Sequence, residues 1–370
     1  VANSHTEQFG MGGYRELGKV VRDTAGEWRE VYTLVLDVGV NIARQERGMS
    51  LELSNREETL EIELRQAAAT EEYEYVLPVI FHVLYRVPED DVPVGYLSSC
   101  LERVNELYRD GPVDMNLKFV LATHDPNGQL LEEPGVRREF REGLPMDMFD
   151  FVGNKFGDCA WIWDPKEYIN VVIFDSKSIL SGCAHFPYLP ECVVLPGVLF
   201  SDWYADHLPD AHVHCVAWNR SHMFSRYELL GVIFDYDVFT LAHEMGHYLG
   251  LLHPFVDGKG NFGDYCDDTP DYCVNGYETF LSELDETFPY SDDNYRKVIQ
   301  RVALNGRVFI ADNIMDYEFG YLDRFTLEQR KRVRTVLENA WLLPGPKIEV
   351  EPRARSGKKA VKPSVPKPVS

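Results

Sequence analysis

The sequence predicts an α/β (α+β) fold: a twisted mixed β-sheet backed by helices, then a loop-rich half that closes on a C-terminal helix. Three observations predict it. Residues 76–85 are rich in β-branched and aromatic side chains, the composition of a core strand, with Pro78 near its start. Leu97, Leu101, Val104 and Tyr108 recur at helical spacing. Residues 117–122 and 168–174 give two more strand-like runs. A strand, helix, strand, strand order fits a sheet with helices packed against it.

Another helix is predicted over residues 238–249, with Asp235 or Asp237 available to cap it and Gly250 able to take the left-handed conformation that ends it. Near the C-terminus, Thr326 followed three residues later by Gln329 forms a capping box, and Val333, Val336, Leu337 and Ala340 supply a buried stripe. Residues 1–72 are charged and mixed, with an apolar stretch at 31–36 and a helix-favouring run at 54–69; they read as a pro-segment or accessory layer. Residues 73–343 form the main domain. Residues 344–370, rich in Pro and Lys, are expected to be disordered.

Asp plus Glu number 60 against 37 Lys plus Arg, a formal charge of −23, so a phosphate backbone is repelled and nucleic acid is not an expected partner. No run approaches the roughly 18 apolar residues of a membrane span, so membrane insertion is not expected either. Seven cysteines occur without a Cys-x-x-Cys pair, which argues against a thiolate metal site or a thioredoxin-type motif. Secretion is the expected location, since export permits some cysteines to pair, although the first residues carry no signal-peptide pattern. Oligomeric state has no signature here.

The chemistry is concentrated in His243-Glu244-Met245-Gly246-His247-Tyr248-Leu249-Gly250-Leu251-Leu252-His253. Residues four apart on a helix lie one above the other, so His243 and His247 can share one cation. Gly250 permits a turn that returns His253 as a third nitrogen ligand. Three imidazoles leave the fourth position of a tetrahedral zinc open for water, which Glu244 deprotonates as it attacks a peptide carbonyl. His212 and His214 alternate as a strand would and are read as two surface histidines; His82 and His185 are read as satisfied core or cleft residues.

The long motif His-Glu-x-x-His-x-x-Gly-x-x-His resembles that of the metzincin zinc peptidases. Within them the chain is similar to the pappalysin family. Three further pieces carry this: Gly263-Asp264-Tyr265-Cys266-Asp267-Asp268-Thr269-Pro270, Asn313-Ile314-Met315-Asp316-Tyr317, and Phe325-Thr326-Leu327-Glu328-Gln329. The resemblance implies a metzincin-like zincin fold and a zinc-dependent endopeptidase acting on peptides or proteins bound in extended form. It implies that Met315 of the Met-turn lies beneath the three histidines and that Tyr317 stands near the metal to hydrogen bond the oxyanion. It also implies that an edge strand near residues 182–186 binds substrate as an added strand.

Asp264, Asp267, Asp268 and Thr269 offer hard oxygen ligands for a structural calcium ion. The resemblance also makes Glu318, Tyr321 and Asp323, which follow the Met-turn, candidates for the pocket of the residue after the cut: a carboxylate facing it favours a basic side chain, whereas Phe319, Tyr321 and Leu322 facing it favour a large apolar one. Cys266 with Cys273 is the nearest local pair for a disulfide. No cysteine precedes Cys100, so residues 1–70 cannot silence a zinc site with a thiol. Two rivals compete with the endopeptidase: a catalytically silent zinc-binding interaction protein, and a zinc hydrolase of a non-peptide acyl bond. Retention of Glu244 argues against the first.

Overall fold

Strand β1 (Tyr75–Tyr85) is the spine of the main sheet because both of its faces are apolar. Leu77, Val79, Phe81 and Val83 point to one core and Leu84 to another, each fully buried. A fully buried side chain of this size contributes about 1.5–3 kcal/mol, and burial on both faces is why the run reads as continuously hydrophobic. Pro78 is accommodated within the strand.

The structure is a computed structural model, which describes residues 21–22, 28–29, 73–152, 161–201, 214–224, 227–229, 232–234, 236–257, 263–282, 292–317 and 319–347. The chain divides into two units, Val1–Tyr73 and Glu74–Ser370. In the first, Val21–Arg22 pairs antiparallel with Trp28–Arg29; the apolar stretch at 31–36 and the helix-favouring run at 54–69 lie outside the described residues.

In the second unit, β2 (Leu117–Leu121) and β3 (Val136–Phe140) follow one another along one side of β1, both parallel to it. On the other side lie β4 (Ile169–Phe174), parallel to β1, then β6 (Val216–Asn219), parallel to β4. The last strand, β5 (Gly182–Ala184), runs antiparallel to β6 and forms the edge of the sheet. The edge strand expected near residues 182–186 thus occurs at 182–184.

One face of the sheet packs on α1 (Val94–Arg109) and α3 (Tyr236–Tyr248) through Leu97, Leu101, Val104, Leu241 and Met245. The other packs on α2 (Met148–Val152) through Met148 and Phe151. Beyond α3 come α4 (Val274–Ser282), α5 (Asp292–Ile299) and α6 (Leu327–Asn339). The capping box of α6 is formed: Thr326 accepts from the Gln329 amide, and Gln329 Oε1 accepts from the Thr326 amide at 3.0 Å.

Three local expectations change. Asp237 lies inside α3, where its carboxylate accepts from the Phe224 amide at 2.8 Å and from the Tyr96 hydroxyl, so it ties α3 to α1 instead of capping it. Asp235 lies outside the described residues. His214 is buried, not on the surface, with its ring against Tyr248 and His185; His212 is not among the described residues. Packing also continues beyond residue 343: Tyr75 donates to the Pro346 carbonyl at 2.8 Å, and Lys347 Nζ donates to the Leu337 carbonyl at 2.7 Å. His82 and His185 are core residues, bonded to Asn170 Oδ1 at 2.9 Å and to the Val152 carbonyl at 3.0 Å. Burial holds His82 down to about 3, so its imidazole is neutral.

Candidate active site

Helix α3 carries the motif and ends where the sequence places a glycine. The Leu251 amide bonds the Gly246 carbonyl at 2.9 Å and the Gly250 amide bonds the His247 carbonyl at 2.9 Å, the paired contacts of a Schellman end. Gly250 sits at φ +91, and a Cβ there would lie 2.7 Å from Val336 Cγ2. Both conformation and space therefore require glycine. The reversal sends Leu251–His253 back toward the helix. His253 then faces His247, with ring centroids 4.5 Å apart at 84°.

The three Nε2 atoms meet. His253 Nε2 lies 3.1 Å from that of His243 and 3.0 Å from that of His247. On the far side, His243 Nδ1 is 2.9 Å from the Ile314 carbonyl and His247 Nδ1 is 2.8 Å from the Leu251 carbonyl. A carbonyl only accepts, so these Nδ1 atoms carry the protons and both Nε2 atoms present lone pairs. Burial keeps His243 neutral, down to about 4, and holds His247 well below its ordinary value. Lone pairs converging in a buried place repel unless a cation joins them. The set of three imidazoles, each within 4.8 Å of the others, fits zinc.

Glu244 is next to them on α3 and 4% exposed. Its Oε2 is buried without a protein hydrogen-bond partner, and burial pushes its carboxyl well above the usual range. The edge strand passes against it: a Cβ on Gly182 would lie 2.7 Å from Glu244 Cγ. Beneath the histidines, Met315 Sδ would be 2.3 Å from a Cβ on Gly246, so sulfur and helix backbone are in direct contact. Tyr317 stacks its ring edge-on to His253, centroids 4.5 Å apart, and lies 5.9 Å from His243. Met315 and Tyr317 are thus gathered around the triad.

A sequence profile of the peptidase family described as pregnancy-associated plasma protein-A matches residues 158–338, a span that contains the triad, Met315 and Tyr317. Residues 158–338 thus match the pappalysin family of metalloproteases. An extracellular metalloprotease of Verticillium alfalfae is 27% identical over 241 residues, covering 59% of this chain and 70% of that protein. Mature mirolysin of Tannerella forsythia, solved with a cleaved peptide, is 21% identical with a TM-score of 0.48, covering 71% of this chain and 91% of that one. Mirolysin with a bound compound gives 20% and 0.47 over 71% and 92%. The match over this span supports metalloendopeptidase activity and implies zinc.

The acidic stretch does not bring together the side chains expected to ligate calcium. Asp264 is buried and accepts from the Thr269 hydroxyl at 2.7 Å and the Cys266 amide at 3.0 Å. Asp267 is exposed, and Asp268 Oδ2 accepts from the Glu328 amide at 3.0 Å, at the first turn of α6. The carboxylates do not converge, Asp268 Oδ1 is buried without a partner, and among the described residues the only group of three or more metal-ligating side chains is the histidine triad. Nor do Cys266 and Cys273 pair: Cys266 is buried with its sulfur toward the Asp264 carbonyl, Cys273 is exposed, and the described cysteines form no disulfide.

Of the residues expected to line the specificity pocket, Glu318 lies outside the described set. Tyr321 and Asp323 line a groove of about 550 Å³ with Arg324, Phe239 and the end of α1. Phe239 is one helical turn before His243. Arg324 Nε lies 3.0 Å from Asp323 and 3.2 Å from Asp312, so Asp323 is paired within its own loop.

Sequence reasoning missed Arg301. It is 2% exposed, lies 3.4 Å over the Tyr277 ring, and donates to the carbonyls of Tyr317 at 3.1 Å and Phe319 at 2.9 Å. It holds the chain just after the Met-turn. One arginine in a short strand gives no pattern by which to find it.

Proposed function

We propose that His243, His247 and His253 hold a zinc ion through Nε2 and that Glu244 is the general base in hydrolysis of peptide bonds. The observation that carries this is the convergence of three buried imidazole nitrogens at 3.0–3.1 Å beside an unpartnered carboxylate oxygen. Zinc, when bound, supplies a Lewis acid that makes water acidic near neutral pH. Glu244 takes the proton of the attacking water and delivers it to the leaving amine. Its burial favours the neutral acid while a neighbouring cation favours the carboxylate, so the base is poised between the two. The Tyr317 phenol donates to the developing oxyanion.

Substrate lies extended along β5, adding an antiparallel strand to the sheet edge that passes Glu244. A basic residue after the cut is the proposed preference; with Asp323 paired to Arg324, it rests on Glu318. The extracellular relative supports secretion. Residues 1–72 act as a pro-segment or accessory layer, and a chain starting at Tyr73 that cleaves faster than the full chain supports the former.

The decisive experiment is cleavage of a denatured protein by wild type and Glu244→Ala, with zinc measured in both. The variant should lose about 10²–10⁴ in kcat while keeping its zinc. Chelation should stop the wild type, and added zinc should restore it. Turnover by Glu244→Ala, or by wild type stripped of metal, would overturn the assignment. Profiling of the cleaved bonds tests the basic preference, which a clear majority of Leu or Phe would end.

A further inference from the structure

Helix α6 lies outside the motif, yet one of its faces touches both turns that shape the site. Gln329, Arg332, Val333 and Val336 recur at helical spacing and are all buried. Arg332 Nε donates to the Gly250 carbonyl at 2.6 Å, and its Nη2 donates to the Pro196 carbonyl at 2.6 Å. One turn further, Val336 closes on the backbone of Gly250 so tightly that no Cβ would fit. Burial works against the guanidinium charge, and no carboxylate forms an ion pair with it among the described residues. Its fork is spent on two main-chain carbonyls, one of them three residues before His253.

One turn earlier on the same face, Gln329 exchanges amide bonds with Asn313, at 2.8 and 3.1 Å. Asn313 Oδ1 accepts from the Met315 amide at 2.9 Å, and the adjoining Ile314 carbonyl orients His243. The face therefore grips the Met-turn with one residue and the turn before His253 with another.

We propose that Arg332 is a positioning residue for the third ligand: by pinning the Gly250 carbonyl to α6 it fixes His253 against His243 and His247, and so sets the affinity and geometry of the metal site. This rests on the zinc reading of the triad. A hydrophobic residue of similar length at position 332 leaves the Gly250 carbonyl buried without its donor, and the turn relaxes toward other partners. His253 then departs from the geometry the other two imidazoles need.

The test is zinc affinity measured by chelator competition on full-length wild type, Arg332→Met, Arg332→Lys and Leu337→Ala, with the visible spectrum of each cobalt(II)-loaded protein and its Tm. Leu337 is buried on α6, and the side chains closest to where a Cβ on Gly250 would lie are Val336 and Pro187, so its truncation serves as the stability control. Arg332→Met should weaken zinc roughly 10-fold or more, the usual scale for contacts behind a ligand, and should shift the cobalt bands. Arg332→Lys, which reaches one carbonyl at a time, should fall between. Leu337→Ala should keep wild-type affinity and spectrum despite a lower Tm. Arg332 variants within twofold of wild type in affinity, or shifts that track Tm across all three variants, overturn the inference. If Arg332→Met does not fold, Arg332→Lys against Leu337→Ala decides it on the same criteria. A wild type that binds no zinc would instead remove the reading of the triad itself.

Discussion

Two turns follow α3, at Gly250–His253 and at Asp264–Thr269, and the sequence offers each as a metal site. They differ in what their donor atoms find nearby. Around Gly250 the helix period and a left-handed glycine leave three Nε2 atoms facing one another, two of them lone-pair bearing because the Nδ1 atoms of His243 and His247 face carbonyls. Around Asp264 the oxygens point apart: Asp264 accepts from the Thr269 hydroxyl and the Cys266 amide, Asp268 Oδ2 from the start of α6, and Asp268 Oδ1 is buried without a partner among the described residues. Charge density alone therefore does not make a cation site. What makes one is a set of acceptors that converge on a single point, as the three Nε2 atoms do and the carboxylates do not.

The strongest way to break this comparison is to remove a nitrogen. His253→Ala should lower zinc affinity by more than about 10³-fold, well beyond the roughly 10–100-fold of outer contacts; chelator competition reads it, and near-normal affinity would mean that the turn does not supply a ligand. Gly250→Ala attacks the turn that delivers His253. Left-handed strain and overpacking against Val336 together should cost about 2–5 kcal/mol in urea unfolding.

At the other turn, burial raises Asp264 to about 7, with the Thr269 and Cys266 hydrogen bonds opposing it. Because the folded value lies above the unfolded one, its contribution to stability is complete below about pH 4 and is lost as pH rises through 7. Asp264→Asn should therefore gain on wild type between pH 5 and 8, by about 2 kcal/mol at 1.4 kcal/mol per pH unit. Unfolding of both proteins in saturating zinc measures the difference, and parallel pH profiles would show that Asp264 does not titrate there. The smallest effect is that of calcium: added to zinc-loaded protein it should move Tm by less than about 1 °C, since the Asp264, Asp267 and Asp268 carboxylates are not gathered.

What could be read from the sequence was whatever depends on local period. The α3 motif, the Gly250 break, β1 and the Thr326–Gln329 capping box are all set by neighbours within a few residues, and each occurs within two residues of its expected bounds. Met315 and Tyr317 came only through family resemblance, because their nearness to the triad spans some 60–70 residues of chain. Arg301, Arg332 and the grip of Gln329 on Asn313 could not be found at all. Arg332 reaches a carbonyl 82 residues away and another 136 away, and a single arginine in an amphipathic helix looks like any solvated cation. The burial of His214 was missed for the same reason: its partners, Tyr248 and His185, come from other segments.

If substrate adds to β5 as proposed, the antiparallel sense of that strand sets the direction of the bound peptide. A peptide laid antiparallel on that edge runs the same way as β1, β4 and β6, so the two halves of a cut chain depart from opposite, fixed ends. Polarity of this kind is carried by the amides and not by the side chains. A retro-inverso copy of a good substrate, with its side chains displayed alike but every amide reversed, would offer β5 a donor wherever it needs an acceptor and should pass through the cleft unbound and uncut.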